Sequence, residues 1–285
     1  MSVQVTLLVS CRDRTGIVAA LSDLVARSNG NILDADQHSE AEGGMFFMRM
    51  RWVLDEATLN VSGLRSELSD LALRFELDYA LHVHDAPTRV ALWCSSAQHC
   101  IYDLLLRHRM GEFAETEMAC VISNHDKWSD VCAHFGLPFY HIPIDAAHKD
   151  EAEARQRAVL AEQRVDLIVL ARYMQVLSPA LVDSWQGRII NIHHSFLPAF
   201  VGARPYHQAK QRGVKIIGAT AHYVTAELDQ GPIIEQDVAR VTHRDEVPDL
   251  VRKGRDLERQ VLSRAVSLHL DRRILEVGGR TIIFR

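Results

Sequence analysis

Apolar positions along the first 84 residues switch between two periods. Val3 to Val9 is apolar and β-branched, which predicts a strand. Cys11-Arg12-Asp13-Arg14-Thr15-Gly16 is a polar turn, and apolar residues at 17, 18, 21, 24 and 25 then follow helical spacing. Ser28-Asn29-Gly30 stops that helix. A strand from Asn31 to about His38, a Glu42-Gly43-Gly44 turn and a strand over 45–53 follow, paired as a hairpin. Apolar residues at 61, 64, 68, 71 and 75 predict a second helix, and Tyr79 to Val83 a fourth strand. The order βαββαβ is the ferredoxin-like plan. A polar joint, 85–88, contains Pro87 and marks a domain boundary. The expected division is therefore a domain over 1–84, a linker and a second domain over 89–285.

Past the joint the pattern becomes strand–helix alternation. Strands are expected over 89–94, 117–122, 138–142 and 165–171, with helices from about 99 to 108, 128 to 135 and 150 to 163. Val165 to Ala171 is the most apolar of these strands, which places it in the centre of a parallel sheet. Ser178-Pro179 caps a short helix. Strand-like runs then end at Asn191-Ile192-His193 and at Gly218 to Val224, followed by a long helix over 247–268 and a hairpin around Gly278-Gly279. The expected architecture is α/β: a doubly wound, mostly parallel, Rossmann-like sheet after the ferredoxin-like domain.

Composition narrows the function classes. Hydrophobic residues make up 47% and charged residues 24%, ordinary globular usage that argues against disorder. A net charge of −5, with no long basic run, gives no field for nucleic acid. No signal peptide is read at the N-terminus, and no apolar run spans a membrane. Five scattered cysteines (11, 94, 100, 120, 132) without CxxC spacing read as reduced thiols, so a cytoplasmic location is expected.

The chemistry gathers where the strand ending at Asn191-Ile192-His193-His194 breaks at Pro198. Ligands bind outside the carboxyl edges of such sheets. Asn191 offers an amide N–H to a developing oxyanion, or is only a turn residue. His193 can donate to that oxyanion or carry a proton, or is only a capping histidine. Asp229, in the loop Leu228-Asp229-Gln230-Gly231-Pro232, can orient His193 and accept the proton of a water, or is only a turn residue. Adjacent side chains of an extended segment point to opposite sides, so His194 is not expected to be a second catalytic histidine or to form a two-histidine metal site with His193. No cysteine or HxxxH spacing supports zinc at His193, His222 and Asp229, so no metal is expected.

These segments carry a resemblance. Asn191-x-His193-x-Ser195-x-Leu197-Pro198, His222-x-Val224-Thr225 and Glu227-Leu228-Asp229-Gln230-Gly231-Pro232 resemble the folate-dependent formyltransferase family, in its order and spacing, from residue 89 onward. Leu170-Ala171-Arg172-Tyr173-Met174-Gln175-Val176-Leu177-Ser178-Pro179 is similar to its folate-contacting loop. His193-His194-Ser195-Phe196-Leu197-Pro198-Ala199-Phe200 and Gln230 are similar to the deformylase branch. The resemblance implies Asn191, His193 and Asp229 as catalytic residues. It implies Arg172, Met174, Gln175, Val176, Leu177, His222, Leu228, Gln230 and Gly231 as substrate contacts. The implied reaction is hydrolysis of 10-formyltetrahydrofolate to tetrahydrofolate and formate, with no separate cofactor. The formate would serve purine synthesis and the tetrahydrofolate the one-carbon pool.

The Asp13-Arg14-x-Gly16-Ile17 turn resembles the ACT family of regulatory domains, with Thr15 where many members carry Pro. That implies an amino-acid effector, glycine or methionine, near Asp13, Arg14, Gly16 and Ile17, or a pairing module without ligand, and a homo-oligomer. The rival activity is formyl transfer to an amine such as glycinamide ribonucleotide. A phosphate-binding first turn would be Gly-rich, whereas Cys94 to His99 contains no Gly, which favours water as acceptor. A non-enzyme reading, an amino-acid-binding regulatory protein, conflicts with the intact Asn, His and Asp set.

Overall fold

The computed structural model describes residues 2–55, 60–145, 147–198 and 205–285. Ala199 and Phe200 of the motif above lie outside the described residues. The chain forms two compact units, Met1–Pro87 with Arg272–Arg285, and Thr88–Asp271.

The first unit runs β1 (Ser2–Arg12), α1 (Ile17–Arg27), β2 (Asn31–Ser39), β3 (Met45–Asp55), α2 (Val61–Phe75), β4 (Asp78–His84). Its antiparallel sheet has the order β2-β3-β1-β4. Alternation decides the core: Val5, Leu7 and Val9 of β1, with Met48, Met50 and Trp52 of β3, face one side. Ile17, Leu21 and Leu24 of α1 and Leu64, Leu68 and Phe75 of α2 close over that side. Gly16 starts α1 at φ 96, a left-handed conformation that glycine adopts without steric cost.

The second unit runs β5 (Thr88–Cys94), α3 (His99–Arg109), β6 (Thr116–Ser123), α4 (Ser129–Phe135), β7 (Phe139–His141), α5 (Lys149–Glu162), β8 (Leu167–Ala171), α6 (Pro179–Ser184), β9 (Ile189–His193), α7 (Pro205–Arg212), β10 (Ile216–Tyr223), β11 (Ile233–Arg240), α8 (Val247–Leu270). The sheet order is β11-β10-β9-β8-β5-β6-β7. Pairings from β9 through β7 are parallel, while β10 is antiparallel to both β9 and β11. β8 is the fourth of seven strands and is buried throughout, as its apolar run predicts. Ala152, Val159 and Leu160 of α5 and Leu181 of α6 pack with Trp93, Ile168, Leu170 and Ile189. α8 lies against β9, β10, β11 and α3.

β11 and α7 did not emerge from the periodicity. β11 is a half-exposed edge strand and α7 is mostly polar, so neither carries an apolar signal. The expected second domain, 89–285, is corrected at both ends. Thr88 already belongs to β5. The C-terminal hairpin, β12 (Ile274–Val277) with β13 (Arg280–Ile283), belongs to the first unit. Its Leu275, with Phe284 just beyond β13, buries against Leu8 and Phe47, on the sheet face that the two helices leave open. The buried Arg49 guanidinium donates from Nε to the Arg272 carbonyl at 2.9 Å and pins the hairpin start. This second cover explains why Leu8 and Phe47, on the face opposite Val5, Leu7 and Val9, are apolar and buried.

Candidate active site

Strand register builds the site. Asn191 and His193 are two apart on β9 and share a face. β10 brings His222 directly opposite Asn191, and their side chains meet at 3.2 Å, Asn191 Nδ2 to His222 Nε2. His222 Nδ1 lies 2.8 Å from the Tyr223 carbonyl, which can only accept. The neutral ring therefore carries its hydrogen on Nδ1, and Nε2 accepts one Asn191 N–H. The second Asn191 N–H is left to face a ligand.

Asp229 comes from the loop between β10 and β11. Its Oδ2 is 3.2 Å from His193 Nδ1 and its Oδ1 is 3.7 Å from His222 Nε2. Hydrogen bonding with His193 holds the Asp229 carboxyl well below the usual carboxylate range; His222, beyond ordinary hydrogen-bond reach, adds less. Asp229 sits at φ 58, a left-handed conformation that Asp tolerates better than most residues. His193 Nε2, buried, has no hydrogen-bond partner among the described residues. The arrangement is a carboxylate, an imidazole oriented by it and an amide donor on one wall, which suits attack on a carbonyl.

These groups line a cavity of about 530 Å³, together with Arg172, Met174, Gln175, Val176, Leu177, Leu228 and Thr225. The volume falls in the range of small-molecule sites. Met174, Val176 and Leu228 are more than half exposed and give the mouth an apolar rim. The loop over 172–178 is anchored at both ends. The Met174 N–H donates to Ser95 Oγ at 3.0 Å, and the Ser178 N–H donates to the buried Glu153 at 2.8 Å. Ser95 N–H donates to the Arg172 carbonyl at 3.3 Å, and Trp128 Nε1 donates to the Ser95 carbonyl at 2.8 Å. Ser95 thus holds the pocket loop through its N–H and its hydroxyl oxygen, and the hydroxyl itself donates to Asn124 Oδ1 at 2.7 Å.

The structure places three groups of the expected residues differently. Gln230 and Gly231 are not among the residues lining the cavity. Gln230 is exposed, and Gly231 is buried against β10, where an added Cβ would lie 1.7 Å from the Tyr223 carbonyl oxygen. Gly231→Ala is therefore expected to push the loop off β10 and carry Asp229 with it. Hydrolytic kcat/KM should fall about 100-fold, with the far-ultraviolet circular dichroism unchanged. Second, His194 does not point away from His193. β9 ends at His193, alternation ends with it, and the two rings stack with centroids 5.0 Å apart at 30°. Third, Ile17 is 2% exposed and belongs to the core, while Asp13 and Arg14 are exposed. Arg14 pairs with Glu76 at 3.2 Å, a surface contact of small energy.

Sequence reasoning also missed Glu258. This α8 carboxylate is 2% exposed. His99 Nε2 is 2.8 Å from its Oε2, Arg172 Nε is 3.3 Å from the same oxygen, and Tyr206 Oη donates to Oε1 at 3.0 Å. Burial pushes its carboxyl up, but the His99 bond and the Arg172 cation outweigh burial and leave it lowered. The signal was available: Leu250, Gly254, Leu257, Val261 and Ala265 form the apolar stripe of α8, and Glu258 falls inside it. Gly254 lets the Tyr206 ring approach, since a Cβ there would meet its hydroxyl at 1.9 Å.

Comparison with known proteins places both units in known families. A family model described as formyl transferase matches residues 88–266, and one described as ACT domain matches 5–73. A formyltetrahydrofolate deformylase of Synechocystis sp. is 50% identical, covering 98% of each chain. The crystal structure of a formyltetrahydrofolate deformylase from Pseudomonas syringae pv. tomato superposes with a TM-score of 0.93 at 44% identity, covering 99% of this chain and 95% of that one. A glycinamide ribonucleotide transformylase from Symbiobacterium toebii reaches a TM-score of 0.66 at 30% identity, covering 72% of this chain and 98% of that one.

Proposed function

The chain belongs to the formyltetrahydrofolate deformylase family, and from that premise we propose how its site hydrolyses 10-formyltetrahydrofolate to tetrahydrofolate and formate. The observation that carries the mechanism is the His193–Asp229 contact on the cavity wall that also holds Asn191. With Nδ1–H directed at the Asp229 carboxylate, the neutral His193 ring presents an Nε2 lone pair to a water. Nε2 takes a proton as the water oxygen bonds to the formyl carbon. The carbonyl oxygen becomes an oxyanion, met by the free Asn191 N–H. Asp229 stabilises the imidazolium, as a carboxylate does in related histidine systems. Collapse breaks the C–N bond, the His193 Nε2–H proton passes to the departing nitrogen, and the acid product releases its remaining proton as formate. Protein groups alone carry the reaction, without metal or separate cofactor.

The apolar rim of Met174, Val176 and Leu228 would cover the flat rings of the folate, with Arg172, Gln175 and Leu177 behind them. Water rather than an amine is the acceptor in this reading. The turn from Cys94 to His99 contains no Gly, so its Cβ atoms crowd the close backbone approach that a phosphate needs. The test is incubation of the pure enzyme with 10-formyltetrahydrofolate and no amine. Formate and tetrahydrofolate should appear in equal amounts, and glycinamide ribonucleotide should not change the rate. Turnover only with the amine would overturn the hydrolytic reading.

The same proposal extends to the first unit. Its ACT match supports an amino-acid effector, glycine or methionine, at the turn of Asp13, Arg14 and Gly16, with Ile17 contributing backbone only. The edge strand β2, with Ile32 and Leu33 exposed, offers a surface for a second copy. Placement in the cytoplasm, with formate passing to purine synthesis, belongs to this proposal as well. Titration of either amino acid in a calorimeter should release heat and shift the hydrolysis rate. Neither effect with either amino acid would leave the unit a pairing role alone.

A further inference from the structure

We propose that Glu258 is a positioning residue for the hydrolysis. Through Arg172 it fixes His194 as a neutral ring with its hydrogen on Nε2, so that His193 alone of the adjacent pair takes up the proton of the water. This rests on the role given to His193 above. Arg172 Nη1 lies 2.7 Å from His194 Nδ1. A guanidinium has donors only, so His194 Nδ1 must be the bare nitrogen and Nε2 must carry the hydrogen. The ring that results is stacked on His193, 5.0 Å between centroids.

Two costly features converge on that contact, and neither touches Asn191 or Asp229. Arg172 holds a left-handed backbone, φ 63, which a long side chain adopts only when its surroundings enforce it. Glu258 is a carboxylate inside the apolar stripe of a 24-residue helix, where an apolar residue would serve packing as well. The Glu258 charge draws the Arg172 guanidinium from one side, as an ion pair at 3.3 Å in which Nε makes no aligned hydrogen bond among the described residues, and the Ser95 N–H holds the Arg172 carbonyl on the other. His99, Cys100 and Glu258 also come within 4.8 Å of one another. Arg172 already meets the Glu258 charge there, which makes the cluster a support for the guanidinium rather than a cation site.

The consequence for proton handling follows from the groups around His194. Arg172 from the loop after β8, His193 on β9, Asp229 from the loop after β10, Tyr206 on α7 and Glu258 on α8 all face it. Burial, then the Arg172 charge, then His193 push its imidazole down to about 4. Two stacked imidazoliums would repel, so a neutral His194 leaves His193 free to become the cation when the water is deprotonated. Without the Arg172 contact, His194 could place its hydrogen on Nδ1 or compete for the proton.

The test reads the ring directly. The full-length enzyme is labelled with nitrogen-15 histidine, and His194 is assigned by its loss in His194→Gln. The expected spectrum is a single neutral Nε2–H ring from about pH 8 down to about pH 5.5. In Glu258→Gln, His194 should show mixed tautomers of its neutral ring, and kcat should fall about tenfold or more with KM within about twofold. A native His194 protonated on Nδ1, or titrating in that window, would overturn the proposal. So would a Glu258→Gln enzyme whose kcat is unchanged, or whose kcat falls while the His194 spectrum stays native. If Glu258→Gln does not fold, Glu258→Asp, which keeps the charge and withdraws it from Arg172, is read by the same spectrum and kcat with the same outcomes. The spectra also stand apart from formate release, so failure of hydrolysis and failure of positioning are separable.

Discussion

Asp229→Asn is expected to lower kcat for formate release by about 10³- to 10⁴-fold while KM stays within about twofold. Asn fills the same space, so the cavity and the apolar rim are kept. What changes is the hydrogen-bond sense. The carboxylate accepts from His193 Nδ1 at 3.2 Å. An Asn amide can turn its N–H₂ toward the ring, move the hydrogen to Nε2 and remove the lone pair that takes the proton of the water. The charge that stabilises the imidazolium is lost as well. Steady-state kcat and KM on 10-formyltetrahydrofolate check this, and a kcat within tenfold of native would remove Asp229 from the proton handling. Asp229 is held charged in the folded enzyme and has an ordinary carboxyl in the unfolded chain. Its stabilising contribution is therefore present above the ordinary Asp pKa and is lost as pH falls below it.

His193→Gln removes the base and the acid together, and a fall in kcat of about 10³-fold is expected. Tetrahydrofolate binding, followed by calorimetry, should change by less than about threefold, because Asn191, Arg172 and the rim remain. The contrast with His194→Gln is informative, since the two rings stack and are chemically alike. His194→Gln should cost about tenfold, the scale of a positioning effect. Equal losses at the two positions would contradict the division of labour. In combination with Asp229→Asn, His193→Gln should add little further loss, because the two residues act as one unit.

The architecture of both units was legible where a period was unbroken. β1, β3 and β4, the first two helices and the central β8 carried apolar patterns that translate directly into elements, whereas the polar β2 was placed by its turns. The site was legible for a different reason. Asn191, His193 and Asp229 stand at strand ends and loop turns, where polar residues beside apolar runs have few packing reasons to be present.

What stayed hidden depends on contacts between distant parts of the chain. Nothing near 272–285 announces that Leu275 and Phe284 pack on Leu8 and Phe47. Glu258 lies 86 positions beyond Arg172, and only the packed α8 brings them together. Gly231 reads as a turn residue until the Tyr223 carbonyl is seen where its Cβ would be. His194 was misjudged because alternation was extended past the end of β9. Each failure is a local rule applied where tertiary contacts decide.

The most direct test of the mechanism is turnover in oxygen-18 water, with 10-formyltetrahydrofolate and no amine present. If the His193–Asp229 pair activates water for attack on the formyl carbon, every released formate carries at least one oxygen-18 atom. Formate without the label, or formyl loss only when glycinamide ribonucleotide is added, would contradict it.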